Sequence, residues 1–220
     1  MNENLNRYLE ALAPMRNDLL MEMEDYAKAN GVPIMELSGM EPLLQILKIH
    51  KPRHILEIGT AIGYSALRMA YTLPDATIVT IERDEDRLAK AYEYIERASM
   101  GNRVLVIKGD ALETEHLVSL QGPFDCLFID AAKGQYQRFF EMYEKYLVPG
   151  GIIYTDNVLF KGLVAEELES IESKRTRNLV KKIKGYNEWL ISHKDYETII
   201  LPVGDGLAIS VKKGDSHEKA

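Results

Sequence analysis

The chain has 220 residues, 46% of them hydrophobic and 28% charged, and a formal net charge of −7. That length suits one domain with a substantial core, and no apolar stretch approaches the roughly 18 to 20 residues of a membrane span. The acidic balance argues against a generic basic surface that coats nucleic acid, the polar start lacks the basic and apolar regions of a leader, and the single cysteine can form no internal disulfide, so a cytoplasmic protein without a membrane partner is expected.

Residues 3–30 carry helical spacing in Leu5, Leu9, Leu12, Leu19, Leu20, Met23 and Tyr26, and Asn30-Gly31 and Pro33 end that region. A further helix over about 39–49 turns Leu43, Leu44, Ile46 and Leu47 toward the core. Together these predict one domain in three parts: a helical cap over 1–50, a core over 51–212 and a frayed polar tail over 213–220. From residue 53 strand and helix alternate. Strands are expected over 54–58, 77–81, 104–107, 124–129 and 152–155, with a helix over 65–71 and another capped by Asp84 that places Leu88, Ala91, Tyr92 and Ile95 inward. This rhythm predicts a parallel sheet with helices on both faces. Strands over 198–203 and 207–211, joined through Gly204-Asp205-Gly206, add an antiparallel hairpin, which is not the standard dehydrogenase ending. Cys126 and Trp189 read as core residues, and the five histidines show no ligand spacing.

Two of the short apolar runs end in oxygen-bearing side chains. Asp130 closes 124–129, and Asp156-Asn157 close 152–155, so all three should emerge at one rim of the sheet. Two carboxylates and an amide form a hard-oxygen set suited to Mg²⁺. Lys133, three residues past Asp130, could serve there as a base. The alternatives are strand-end caps for neighbouring helices and a plain surface lysine. Glu57-Ile58-Gly59-Thr60-Ala61-Ile62-Gly63 follows the first strand, where small residues permit close backbone approach to a ligand. The spacing departs from G-x-G-x-x-G, and the leading acid would repel a pyrophosphate but suit a cation, which favours S-adenosylmethionine (SAM) over NAD. Glu82 ends the second strand, where it could take ribose hydroxyls, and Asp110-Ala111 follow the third, where Asp110 could meet the adenine amino group. Each acid alone also reads as a surface carboxylate or helix cap.

These residues carry a resemblance. Glu57 to Ser65, Ile81-Glu82, Gly109-Asp110-Ala111, Phe128 to Lys133 and Thr155-Asp156-Asn157-Val158 resemble the metal-dependent O-methyltransferases related to catechol and caffeoyl-coenzyme A methyltransferases. The likeness implies an α/β, Rossmann-like class I methyltransferase fold with seven strands, an antiparallel last strand and N-terminal helices that supply pocket walls and dimer contacts. It implies SAM binding by Met35, Glu57, Gly59, Thr60, Ala61, Gly63, Tyr64, Ser65, Glu82, Asp110, Ala111 and Asp130. Mg²⁺ would be held by Asp130, Asp156 and Asn157, with Lys133 as the base. A closer likeness is to the bacterial branch that methylates 5-hydroxyuridine at the tRNA wobble position, through Pro33-Ile34-Met35-Glu36, Lys133-Gly134-Gln135-Tyr136, Asp156 to Glu166, Tyr186-Asn187 and Pro202 to Leu207. It implies a homodimer that takes a tRNA anticodon loop as substrate.

Lys174, Arg175, Arg177, Lys181, Lys182 and Lys184 form a basic run without an acid, downstream of Glu166, Glu167, Glu169 and Glu172. Arg175, Arg177, Lys181 and Lys182, with Lys161, are candidate RNA contacts, and Tyr136 and Phe160 could stack on a splayed base. A solvated helix face and ordinary packing aromatics are the competing readings. The rivals to a tRNA enzyme are a small-molecule catechol or phenol methyltransferase and a nucleotide- or RNA-binding module without catalysis.

Overall fold

The apolar runs at 54–58, 77–82, 124–129 and 152–155 become neighbouring strands largely buried on both faces, whereas the edge run at 104–108 leaves Leu105 45% exposed. The computed structural model describes residues 3–213. Its seven strands are β1 (His54–Ile58), β2 (Thr77–Glu82), β3 (Val104–Lys108), β4 (Phe124–Ile129), β5 (Leu147–Thr155), β6 (Tyr196–Leu201) and β7 (Leu207–Lys212), ordered β3-β2-β1-β4-β5-β7-β6. Five of them pair in parallel from β3 to β5. Alternate side chains point to opposite faces: Ile55, Cys126, Phe128 and Tyr154 join one core, whereas Leu56, Ile58, Leu127 and Ile129 join the other.

The first core is covered by α2 (Asp18–Asn30), α3 (Leu37–His50), α4 (Tyr64–Thr72) and α5 (Glu85–Arg97), through Met23, Leu43, Leu47, Leu67 and Tyr94. The second is covered by α6 (Glu115–Ser119), α7 (Tyr136–Tyr143) and α8 (Lys174–Ile191), through Val118, Phe140, Tyr143 and Leu190. In that layer Phe140 meets Trp189 and Tyr196 edge-on, with ring centroids 4.9 and 4.8 Å apart. The β6–β7 connection, 202–206, is too short for a crossover, so β7 must run antiparallel. It inserts between β5 and β6, with Thr155 opposite Ala208. The turn therefore returns to the rim where β5 ends.

Several expectations need correction. The helical region at 3–30 is two helices, α1 (Glu3–Ala11) and α2, because Pro14 interrupts the spacing and Asn17 caps α2 by accepting the Leu20 N–H at 2.9 Å. Tyr92 does not face inward: it is 48% exposed, and Tyr94, on the stripe shared with Leu88, Ala91 and Ile95, is buried instead. β5 begins five residues earlier than expected and enters through a register shift against β4. Asp84 does cap α5, accepting the Arg87 N–H at 3.0 Å. The tail falls outside the described residues from 214 onward. Among the described residues no helix is long and apolar enough to cross a membrane.

A buried polar relay fastens the N-terminal helices to α4. The Tyr64 hydroxyl donates to Glu24 at 2.6 Å and accepts from Arg68 at 2.7 Å. Arg68 also donates to Glu41, and Arg16 grips Glu24 with two bonds of 2.9 Å. Arg68 is 6% exposed, so its charge is matched by partners rather than by water.

Candidate active site

The strand order reverses between β1 and β4, and the crevice beyond their carboxyl ends is where an open α/β sheet can take a ligand. A cavity of about 1310 Å³ opens there. The two strand ends approach so closely that a Cβ on Gly59 would stand 2.1 Å from the Asp130 carbonyl oxygen, and Gly59 has φ +108°. Only glycine fits that position. The chain then passes through Thr60 and Ala61 into α4.

Glu82 organises this loop. Its Oε2 accepts the Ala61 N–H at 2.9 Å, and Oε1 accepts the N–H groups of Arg83 and Asp84 at 2.9 and 3.0 Å. The carboxylate lines the cavity in a fixed orientation. Asp110 lines it too, but both oxygens are engaged, one by the Leu112 N–H at 2.9 Å and the other by Arg83 at 2.7 Å. The Leu112 N–H foremost, then the Arg83 guanidinium, hold its carboxyl below the usual range. Met35, Gly59, Thr60, Ala61, Tyr64, Ser65 and Ala111 also line the cavity.

Two of the expected cofactor residues stand behind the wall. Gly63 caps α4 with φ 85° and packs on Ala91. Glu57 is wholly buried. Its oxygens accept the hydroxyls of Ser65 and Thr80, each at 2.5 Å, and Thr80 in turn meets Thr60 at 2.7 Å. Glu57 therefore reaches the cavity through Ser65 and Thr60 rather than by its own carboxylate. Burial outweighs those bonds and raises its carboxyl to about 7.

At the other end of the cavity stand Asp130, Asp156 and Asn157. The Asn157 amide donates to Asp130 Oδ1 at 3.3 Å and to Asp156 Oδ2 at 2.8 Å. Burial lifts both carboxyls above their ordinary range, and for Asp156 the neighbouring Asp130 charge adds to it. Asp156 Oδ1 is buried without a hydrogen-bond partner. A hard cation would answer all of this at once: it would neutralise two crowded carboxylates and occupy the orphaned oxygen. The donor set therefore fits Mg²⁺, although among the described residues no group of three or more His, Cys, Asp and Glu side chains gathers. The backbone of this segment is clamped from the α7–α8 layer. Tyr186 bonds the Thr155 hydroxyl at 2.9 Å, Tyr136 donates to the Asp156 carbonyl at 2.9 Å, and Asn187 donates to the Val158 carbonyl at 2.8 Å.

Lys133 is half-buried and lines the cavity, its Nζ 5.8 Å from the centre of the Phe160 ring. Burial lowers its proton affinity, against the pull of Asp205, Asp130 and Asp156. The proposed RNA contacts divide. Lys161 lines the cavity, and Arg175, Lys181 and Lys182 are exposed on α8, whose Leu179 also lines it. Arg177 is half-buried and its guanidinium donates twice to the Ile171 carbonyl, at 3.1 and 2.7 Å. Tyr136 cannot stack on a base: it is 1% exposed, with its ring 5.4 Å from that of Tyr186. Phe160 stands beside Lys133 rather than in the cavity wall. The sequence assigned no site role to Asp205, Arg83 or Asn187, although Asp205 and Asn187 lie in segments that carry the family likeness.

Residues 11–213 match the model of the O-methyltransferase family. The chain belongs to that family. It is 30% identical to a catechol O-methyltransferase of Niastella koreensis over 96% of this chain and 97% of that one. Among solved structures, a Staphylococcus aureus protein provisionally described as a caffeoyl-CoA O-methyltransferase is 39% identical, with a TM-score of 0.88 over 94% of this chain and 99% of its own. A Bacillus cereus O-methyltransferase in complex with SAH is 29% identical, with a TM-score of 0.80 over 96% of this chain and 97% of its own. The reversed β7 and seven-stranded order of this O-methyltransferase are thus the fold of its relatives.

Glu57 makes the ligand-free protein pH-sensitive. Between its ordinary value of 4.5 and its folded value of about 7, the native state keeps a proton that the unfolded chain has lost. The stability linked to it, at most about 3 kcal/mol, is fully present below the lower value and is lost as pH rises through the upper. Glu57→Gln should flatten that fall, as read by urea midpoints across the window. Parallel wild-type and mutant curves would sink the assignment.

Proposed function

We propose that this O-methyltransferase moves the methyl group of SAM to a hydroxyl held at Asp130, Asp156 and Asn157, and that the hydroxyl is the 5-hydroxyl of uridine at a tRNA wobble position. The observation that carries methyl transfer is that the Gly59–Ser65 loop, Glu82 and Asp110 line the same cavity as Asp130, Asp156, Asn157 and Lys133. Its volume exceeds the roughly 300 to 1,000 Å³ of a single-ligand pocket, so donor and acceptor can sit together.

Glu82, pre-oriented by three backbone N–H groups, is placed to accept from ribose hydroxyls. Ser65 and Thr60, braced from behind by Glu57 and Thr80, shape the floor beneath the donor. The S–CH₃ bond breaks as the O–CH₃ bond forms, and the hydroxyl proton passes to Lys133 Nζ acting as the neutral amine, a form that partial burial favours. Mg²⁺, when bound, supplies positive charge that favours the oxyanion and fixes its approach. Asp130, Asp156 and Asn157 would hold it, and the clamps from Tyr136, Tyr186 and Asn187 keep those ligands in place.

The tRNA reading is supported by the motif likeness and by Arg175, Lys181 and Lys182, exposed on the helix that also lends Leu179 to the cavity. The vicinal 5-hydroxyl and 4-carbonyl of 5-hydroxyuridine present two oxygens, as a catechol does. A cytoplasmic setting goes with that substrate. A small catechol or phenol is the second reading, favoured by the names of the relatives. For the quaternary state we propose a homodimer, because Leu5, Tyr8 and Leu9 of α1, with Leu12 one residue beyond it, are exposed at the spacing of one helical face. Sedimentation should show a dimer, and a Leu9→Asp, Leu12→Asp variant should sediment as a monomer; a wild-type monomer would end that proposal.

Incubation with labelled SAM and Mg²⁺ should place methyl on tRNA carrying 5-hydroxyuridine. Label on a catechol alone would overturn the RNA acceptor, and label on neither would favour a binding module. Mg²⁺ at about 100 times its Kd should stabilise wild type by about 2.7 kcal/mol and leave Asp156→Ala unmoved. Equal thermal shifts in both would remove the metal role. Replacing Arg175, Lys181 and Lys182 by alanine should flatten the salt dependence of tRNA binding by about one unit of slope for each phosphate no longer neutralised. An unaltered slope would move the RNA surface elsewhere.

A further inference from the structure

The β6–β7 turn brings one more carboxylate into the cavity, that of Asp205. The two residues beside it leave no room for a side chain. Gly204 has φ +54°, and a Cβ there would stand 2.8 Å from the Gly39 Cα of α3. Gly206 has φ +93°, and its Cβ would stand 2.3 Å from Leu159 Cγ. The turn is therefore wedged between the start of α3 and the segment that follows the Asp156-Asn157 pair. Three backbone hydrogen bonds fasten it. Val158 N–H donates to the Gly206 carbonyl at 3.1 Å, Leu159 N–H to the Asp205 carbonyl at 2.9 Å, and Gly206 N–H to the Val203 carbonyl at 2.9 Å.

The Asp205 side chain goes further. Its Oδ1 accepts the Lys161 N–H. Phe160, Lys161 and Gly162 have φ of 45°, 55° and 81°, three successive residues in the left-handed region. Residues with a Cβ rarely adopt that conformation singly, and two in a row persist only when their surroundings hold them. The bent backbone sets the Phe160 ring beside Lys133 Nζ and puts Lys161 on the cavity wall.

We propose that Asp205 is a positioning residue for the acceptor. By holding the Lys161 N–H it keeps Phe160 and Lys161 left-handed, and thereby fixes the wall against which the methyl acceptor lies beside Lys133. Its kinetic consequence rests on the methyl-transfer reading; its structural content does not.

Asp205→Ala and Asp205→Asn separate the hydrogen bond from the charge, since the asparagine oxygen can still accept the Lys161 N–H. Amide hydrogen exchange over residues 159–163 should accelerate about tenfold or more in Asp205→Ala and return close to wild type in Asp205→Asn. With an acceptor that wild type methylates, the alanine variant should raise the acceptor KM by about tenfold, leave the SAM Kd within about twofold, and be rescued by asparagine. Unchanged exchange at Lys161 in Asp205→Ala, or equal acceleration in both variants, would overturn the proposal. If wild type methylates neither tRNA nor catechol, the functional reading fails while the exchange result still decides the role of Asp205.

Discussion

Two backbone hydrogen bonds just past the strand ends govern the rim of this protein. Asp130 N–H donates to the Ile58 carbonyl and Asp156 N–H to the Ile129 carbonyl, each at 3.0 Å. They carry the β1–β4 and β4–β5 ladders one residue beyond the strands. Gly59, Asp130 and Asp156 are thereby lined up across three neighbouring strands, at the point where the strand order reverses. A side chain on Gly59 would break this arrangement, because the Asp130 carbonyl occupies its place. The Gly59–Ser65 loop and the Asp130 and Asp156 carboxylates are close for the same reason that the sheet is parallel there.

Concentrating acids at such a rim is costly in a medium of low dielectric. The protein meets that cost differently at the two ends of the cavity. At the end formed by the Gly59–Ser65 loop Glu57 is satisfied by hydroxyls, Glu82 by three backbone amides, and Asp110 by an amide and a guanidinium. At the end formed by Asp130 and Asp156 compensation is incomplete: two raised carboxyls share one amide, and an Asp156 oxygen has no partner. The contrast separates a finished structural network from a site that calls for positive charge. Lys133 lies on the boundary, where burial weakens its hold on a proton and three carboxylates strengthen it.

The layer of α7 and α8 does more than cover the sheet. Tyr136, Tyr186 and Asn187 each bond the short segment Thr155–Val158 from behind, while the hairpin turn holds its continuation from the side. A segment with Asn157, Phe160 and Lys161 all at positive φ can be kept in that shape only by such surroundings. Rigid placement of side chains is what group transfer demands of a protein.

Local sequence determined the strands, the reversed hairpin and the three oxygens at the strand ends, because apolar runs bounded by turns and polar rim residues leave little choice of placement. It also marked the glycine-bearing loop and Glu82. Tertiary structure decided what proximity along the chain cannot express. Glu57 lies behind the wall because α4 folds Ser65 back over it. Tyr136 is a clamp rather than a stacking platform because α8 covers its ring, and Arg177 turns its guanidinium toward the Ile171 carbonyl. Asp205 joins the site only because β7 inserts beside β5 and returns the turn to the rim, bringing together residues nearly fifty positions apart.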